Sequence, residues 1–185
     1  MPTDTMRVLF VCTGNICRSP VADRTLQQES HQLGLQLILS SAGTRALNGK
    51  PMHPESTRVL NERSLDPVNF SSRLLNPALV NEAQMVLGLT RHHRAAARQM
   101  SPTRWRRMFA TREVPDDDPS DTEPNRTTVR SNDPTDARLD IEDPIGRPGG
   151  VFDRIESDIE ESMNGLILWI KHQLKIWASV EQVTK

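Results

Sequence analysis

Met6 to Val11 reads MRVLFV, a near-continuous apolar run that predicts a strand covered on both faces, as in a parallel sheet. It stops at Cys12. Beyond a short polar stretch stands Pro20, whose fixed φ and missing N–H suit the start of a helix. Val21, Ala22, Leu26 and Leu33 then recur at helical spacing and predict its buried stripe, with Gly34 as the stop. Leu35–Ser40 predicts a second strand, Pro54–Leu65 a second helix with Val59 and Leu60 inward, Leu74–Asn81 a short helix, and Met85–Leu89 a third strand. Pro102 divides an arginine-rich stretch into a helix before it and a short helix from Thr103, followed by a fourth strand near Arg107–Thr111. Phe152, Ile155, Ile159, Met163, Leu166, Ile170, Leu174 and Trp177 recur every three or four residues and predict a long amphipathic closing helix.

Strands that alternate with helices predict an α/β fold, a three-layer, doubly wound, four-stranded parallel sheet flanked by helices, with ligands at the carboxyl ends of the strands. Cys12 stands at such an end. The 185 residues are of a length for a single domain over 1–185. Apolar residues make up 36% and charged residues 25%, and the mean hydropathy of −0.54 is low for a globular chain. The deficit concentrates at about 114–138, rich in Asp, Pro, Ser, Thr and Asn, which predicts a disordered acidic insertion. From Glu113 to Asp143 there are eleven acids against three arginines. Such a block is expected to be solvated chain; folding back on the seven arginines between Thr90 and Arg112 is the sharper alternative.

A net charge of −1 argues against nucleic acid as a partner, and no apolar run approaches the ~20 residues of a membrane helix. With no secretory pattern at the N-terminus, the expected location is cytoplasmic. Cys12 and Cys17 lack neighbours at metal-ligand spacing, so neither a metal site nor a disulfide scaffold is expected. The adjacent His92 and His93 read as surface residues rather than ligands.

Cys12-Thr13-Gly14-Asn15-Ile16-Cys17-Arg18-Ser19 lies between the first strand and the first helix. A loop wrapped into a helix N-terminus aims several backbone N–H groups at one point and adds partial positive charge, so it cradles a phosphate. Gly14 and Asn15 accept the left-handed backbone that such a wrap needs. The same field favours a thiolate, making Cys12 the nucleophile. Arg18 offers a planar fork for two phosphoryl oxygens, and Ser19 a hydrogen bond to the sulfur. Cys17 reads as packing rather than redox chemistry, although a bond to Cys12 would shield the nucleophile from overoxidation.

CTGNICRSP resembles the signature of the low-molecular-weight protein-tyrosine phosphatases. The similarity covers about residues 6–112 and 140–178, and SAGT at Ser41–Thr44 with the GKP and HP fragments between Gly49 and Pro54 is also family-like. The resemblance implies a cysteine-dependent phosphomonoesterase that needs no metal or cofactor and works through a phosphocysteine intermediate. Its partner would be a phosphorylated protein, phosphotyrosine foremost, or a small phosphomonoester. It also implies a general acid in an Asp-Pro pair near the last helix; Asp143-Pro144 matches, while Asp118-Pro119 and Asp133-Pro134 lie farther from that helix.

Several positions depart from the family pattern. Aromatics that usually wall the cleft are replaced by Ile145 and Leu47, and the chain has no tyrosine. Aliphatic walls keep apolar area but forgo ring stacking, worth about 0.5–1.5 kcal/mol. Phe70 stands for a histidine that usually supports the loop, so only Asn15, Ser19 and Ser41 are expected in that network and the loop is expected to be less rigid. Ile16, where protein-arginine phosphatases have threonine, argues against that branch. An arsenate reductase coupled to an external thiol, and a silent phosphate- or phosphopeptide-binding protein, are the alternatives.

Overall fold

The computed structural model describes residues 5–113 and 135–183, with side chains as far as residue 175. At its centre β1 (Met6–Cys12) runs between β2 (Leu37–Gly43) and β3 (Met85–Gly88), with β4 (Met108–Ala110) beyond β3. All pairings are parallel, with Cys12 level with Gly43 and Val11 level with Gly88. The unbroken apolar run of β1 serves two cores at once. Met6, Val8, Phe10 and Cys12 face one, built with α1 (Arg18–Gln32), α2 (Pro54–Glu62) and α5 (Gly149–Val183); Leu9 and Val11 face the other, built with α3 (Pro77–Glu82) and α4 (Arg91–Met100). The α/β architecture read from the sequence, a four-stranded parallel sheet with helices on both faces, is the one observed.

The boundaries shift for local reasons. Helix α1 begins at Arg18, two residues before Pro20, because a proline in the first turn gives up only an N–H that has no intrahelical partner. Val21, Ala22 and Leu26 are buried, but Leu33 is 43% exposed and lies past the helix end, so it is not part of the buried stripe. Gly34 at φ +66 turns the chain out as expected. Strand β2 runs to Gly43 rather than ending at Ser40, since Ser41, Ala42 and Gly43 are buried by pairing with β1 despite lacking large apolar side chains. Asn76 and Thr90 cap α3 and α4, accepting from Leu79 N and His93 N. The piece after Pro102 is a 3₁₀ helix over Pro102–Arg107.

The expected acidic insertion, with Asp118 and Asp133, falls almost wholly outside the described residues. At its far edge Asp136 caps a short 3₁₀ turn, Ala137–Leu139, and pairs with Arg138. Arg58 ties α2 to α5 through Asp153, while also pairing with Glu55 and Glu62. Arg63 binds Glu156 and Glu160 of α5. No helix among the described residues is long and apolar enough to cross a membrane.

Candidate active site

The chain between β1 and α1 is held by its carbonyls. Thr44 N donates to Cys12 O at 2.9 Å, Arg45 N to Thr13 O at 2.9 Å, and His53 N to Ile16 O at 2.8 Å. Among the described residues the amides of Thr13, Gly14, Ile16 and Cys17 have no protein acceptor, which leaves them for an anion. Asn15 takes the left-handed turn at φ 54, whereas Gly14 stays outside the positive-φ region. The wrap is tight at Gly43, where a Cβ would lie 2.5 Å from Thr13 O and 2.8 Å from Asn15 N.

Asn15 is wholly buried and uses its entire amide. Its Nδ2 donates to Ser19 Oγ and Ser41 Oγ, each at 3.0 Å, and its Oδ1 accepts from Arg73 N at 2.9 Å. Arg73 Nε also donates to Ser41 O at 2.8 Å. The network is larger than the Asn15, Ser19 and Ser41 expected: Phe70 takes no part and packs at the edge of the main core, while the main chain of Arg73 joins the three. Asp23 adjoins this network through Ser41, and burial pushes its carboxyl up to about 6 against the pull of Arg24 and Arg73.

Cys12 Sγ lies 3.2 Å from Asn15 N and 3.0 Å from Ser19 Oγ. Because Ser19 Oγ already accepts from Asn15, its hydrogen is available to the sulfur. Arg18, the first residue of α1, is 4% exposed. Its Nη1 donates to Ile141 O at 2.9 Å and its Nη2 to Asp143 Oδ2 at 2.6 Å, while its buried Nε has no partner. The structure thus brings Cys12, Arg18, Ser19 and Asp143 together, although Asp143 is 125 residues from Arg18 in the chain. Asp143 Oδ1 accepts from Ile145 N at 3.2 Å. Leu47 and Ile145 are exposed, and Ile16 packs against the main core.

Cys17 is a buried free thiol. Burial pushes it up to about 12, partly offset by a bond with Ser56 of α2. Among the described residues no group of three or more His, Cys, Asp and Glu could hold a metal ion.

His93 corrects the surface reading of the histidine pair: His92 is exposed, but His93 is only 3% exposed. Its Nε2 lies 3.0 Å from Thr13 Oγ1 and its Nδ1 2.9 Å from Thr90 Oγ1. Burial pulls its ring down to about 4, helped by Arg18 and His92, so it is neutral near pH 7. Thr90 three residues before His93, a helix cap, is the sequence signal that marks it. Arg73 carries no such mark, since its main chain makes the bond to Asn15.

The family described as low molecular weight phosphotyrosine protein phosphatase matches residues 7–176. A low molecular weight protein-tyrosine-phosphatase, Wzb of Salmonella typhi, is 31% identical over 116 residues, 60% of this chain and 75% of that one. A low molecular weight protein-tyrosine-phosphatase of Streptomyces coelicolor is 29% identical over 178 residues, covering 92% and 97%. The solved structure of the YwlE arginine phosphatase from Geobacillus stearothermophilus superposes with a TM-score of 0.70 at 27% identity, covering 92% of this chain and 94% of that one.

Proposed function

The chain belongs to the low molecular weight phosphotyrosine protein phosphatase family, and from that premise we propose that it hydrolyses phosphotyrosine in protein through a phosphocysteine at Cys12. Cys12 Sγ attacks phosphorus, the S–P bond forms as the P–O bond to the leaving group breaks, and Asp143 gives its proton to the departing oxygen. Asp143 then takes a proton from water, whose oxygen attacks phosphorus; the S–P bond breaks, the thiolate returns, and inorganic phosphate leaves. Arg18 and the amides of Thr13, Gly14, Ile16 and Cys17 bind the three non-bridging oxygens, whose charge is carried through both steps. Ser19 stabilises the thiolate as leaving group in the second step.

One observation carries the reading: the Cys12 sulfur sits in reach of Asn15 N–H and Ser19 O–H, and Arg18, next to Ser19 in the chain, is buried with an uncommitted Nε. Leu47 and Ile145 give the ring of a phenyl ester aliphatic rather than aromatic walls. Ile16 has no polar atom to meet a guanidinium, which favours aryl phosphate over phosphoarginine. The reading assigns the enzyme to the cytoplasm, whose reducing poise keeps Cys12 a thiol.

The test is hydrolysis of p-nitrophenyl phosphate, a phosphotyrosine peptide and a phosphoarginine peptide, with vanadate inhibition. Turnover of the aryl substrates that Cys12→Ser abolishes is the expected result. Arsenate-dependent thiol consumption without hydrolysis would favour the reductase alternative, and phosphate binding without turnover the silent binder.

A further inference from the structure

We propose that His93 and Arg91, on the first turn of α4, are positioning residues that hold the two halves of the site at a fixed separation. His93 acts through Thr13 of the phosphate cradle, and Arg91 through Asp140, three residues before Asp143. The inference rests on the phosphatase reading above and concerns how its nucleophile and acid are kept in register.

The need for such a bracket follows from Arg18. Its pair with Asp143 links the halves directly at 2.6 Å, but a phosphoryl group bound in the cradle claims the same guanidinium. A link shared with the substrate cannot set the spacing during turnover. The α4 links are not shared. Arg91 N and Nε donate to Asp140 Oδ1 at 2.7 and 3.1 Å, and Arg91 Nη2 to Oδ2 at 2.9 Å. His93 reaches the other way, with Nε2 at 3.0 Å from Thr13 Oγ1. Residues two apart on a helix point about 200° from each other, which is what gripping two separate loops requires.

The turn that carries both residues is itself fixed to the sheet. Thr90 Oγ1 accepts from His93 N at 3.3 Å and lies 2.9 Å from His93 Nδ1, so the ring is held at both nitrogens. At Gly88, the last residue of β3, a Cβ would lie 2.5 Å from Arg94 N and 2.8 Å from Thr90 O. The helix start is therefore pressed onto the residue paired with Val11, next to the nucleophile. Ile141 N donates to Leu89 O at 2.9 Å and draws the acid-bearing segment onto the same strand end. A shift of about 1 Å between reacting groups can lower rates by about 10²-fold, so this bracket bears on catalysis without touching substrate.

The experiment compares full-length wild type with His93→Leu, His93→Gln and Asp140→Asn. It reads inhibition by inorganic phosphate, KM and kcat, and the dependence of kcat/KM on leaving-group acidity across substituted phenyl phosphates. His93→Leu should weaken phosphate inhibition and raise KM together by about five- to tenfold, with an unchanged leaving-group slope; His93→Gln, whose amide can reach Thr13, should restore most of the loss. Asp140→Asn should leave phosphate inhibition near wild type and steepen the slope, as the acid drifts from the leaving oxygen. Lower melting temperatures with unaltered inhibition and slope would overturn the proposal, as would equal losses in His93→Leu and His93→Gln. If wild type turns over no phosphomonoester, the phosphatase reading falls and the Arg91 half with it, while phosphate binding by calorimetry still decides the His93 half.

Discussion

Arg18 donates from Nη2 to Oδ2 of Asp143 across 2.6 Å, so the proposed phosphate clamp and the proposed acid hold each other. Arg18 is buried while the Asp143 side chain is 47% exposed. A half-exposed pair of this kind is worth about 0–1 kcal/mol, little enough for a phosphoryl dianion to displace the carboxylate.

Removing that carboxylate should therefore have opposite effects on binding and on turnover. In Asp143→Asn, inorganic phosphate and vanadate should bind about two- to fivefold more tightly, since no anion competes for Arg18. Aryl phosphate turnover should fall about 10²-fold or more, because the proton donor is gone. Competitive inhibition constants and kcat measured on one preparation check both; weaker phosphate binding would show that the pair supports the clamp rather than competing for it.

Asn15 combines a left-handed backbone with three side-chain bonds, and two substitutions separate these contributions. Asn15→Gly tolerates φ 54 but leaves Arg73 N, Ser19 and Ser41 without their amide partner. Asn15→Ala loses the same bonds and adds strain of about 1 kcal/mol. Both should lower kcat/KM, and alanine should be the less stable in thermal melts. A glycine variant with wild-type kcat/KM would mean that the cradle holds its shape without the Asn15 network.

Where the chemistry is contiguous the sequence is easy to read. The apolar run ending at Cys12, the loop and the proline-marked helix form one uninterrupted segment, so element and motif identify each other. Asp143 needs the family resemblance, because nothing local distinguishes its Asp-Pro pair except its nearness to the last helix. His93 is hidden by His92: two adjacent histidines on a helix look alike, and only packing against Thr13 and Thr90 decides which is buried. The end of β2 is hidden for a different reason. Ser41 and Gly43 are buried because the loop crosses them closely, and small residues leave no hydropathy signal.

Cys17 should be chemically quiet beside Cys12. Its thiol is buried and pushed up to about 12, so it stays protonated through the neutral range, and the thiol form is a poor nucleophile. Iodoacetate at pH 7 should modify Cys12 alone, with phosphate protecting it, and mass spectrometry of the digested protein locates the label. Cys17→Ala should keep kcat within about twofold, because the cradle uses the main chain at this position, while the lost packing lowers stability by about 1–2 kcal/mol. Equal labelling of both cysteines would contradict this division.

Stability against pH should reflect two opposed sets of buried groups. His93 is pulled from 6.5 to about 4, so between those values the unfolded chain binds more protons and stability falls as pH drops. Glu156, pushed by burial from 4.5 to about 7 against the pull of Arg63, and Asp23, pushed from 3.8 to about 6, act the other way: the folded chain holds their protons longer, so stability falls as pH rises through those windows. Each unit of such a shift is worth about 1.4 kcal/mol, and between pH 4.5 and 6 the two carboxyls outweigh the one histidine, so wild-type stability rises on acidification across that window. Glu156→Gln should leave the histidine opposed by Asp23 alone. Its stability should stay nearly level from pH 6 to 4.5, where wild type gains, and at pH 7.5 it should exceed wild type by about 1 kcal/mol, because a buried charge is removed while Arg63 keeps Glu160 at 2.6 Å. Denaturant midpoints at pH 4.5, 5.5, 6.5 and 7.5 give the slopes directly; a Glu156→Gln curve parallel to wild type would mean that Arg63 holds the Glu156 carboxylate ionised throughout.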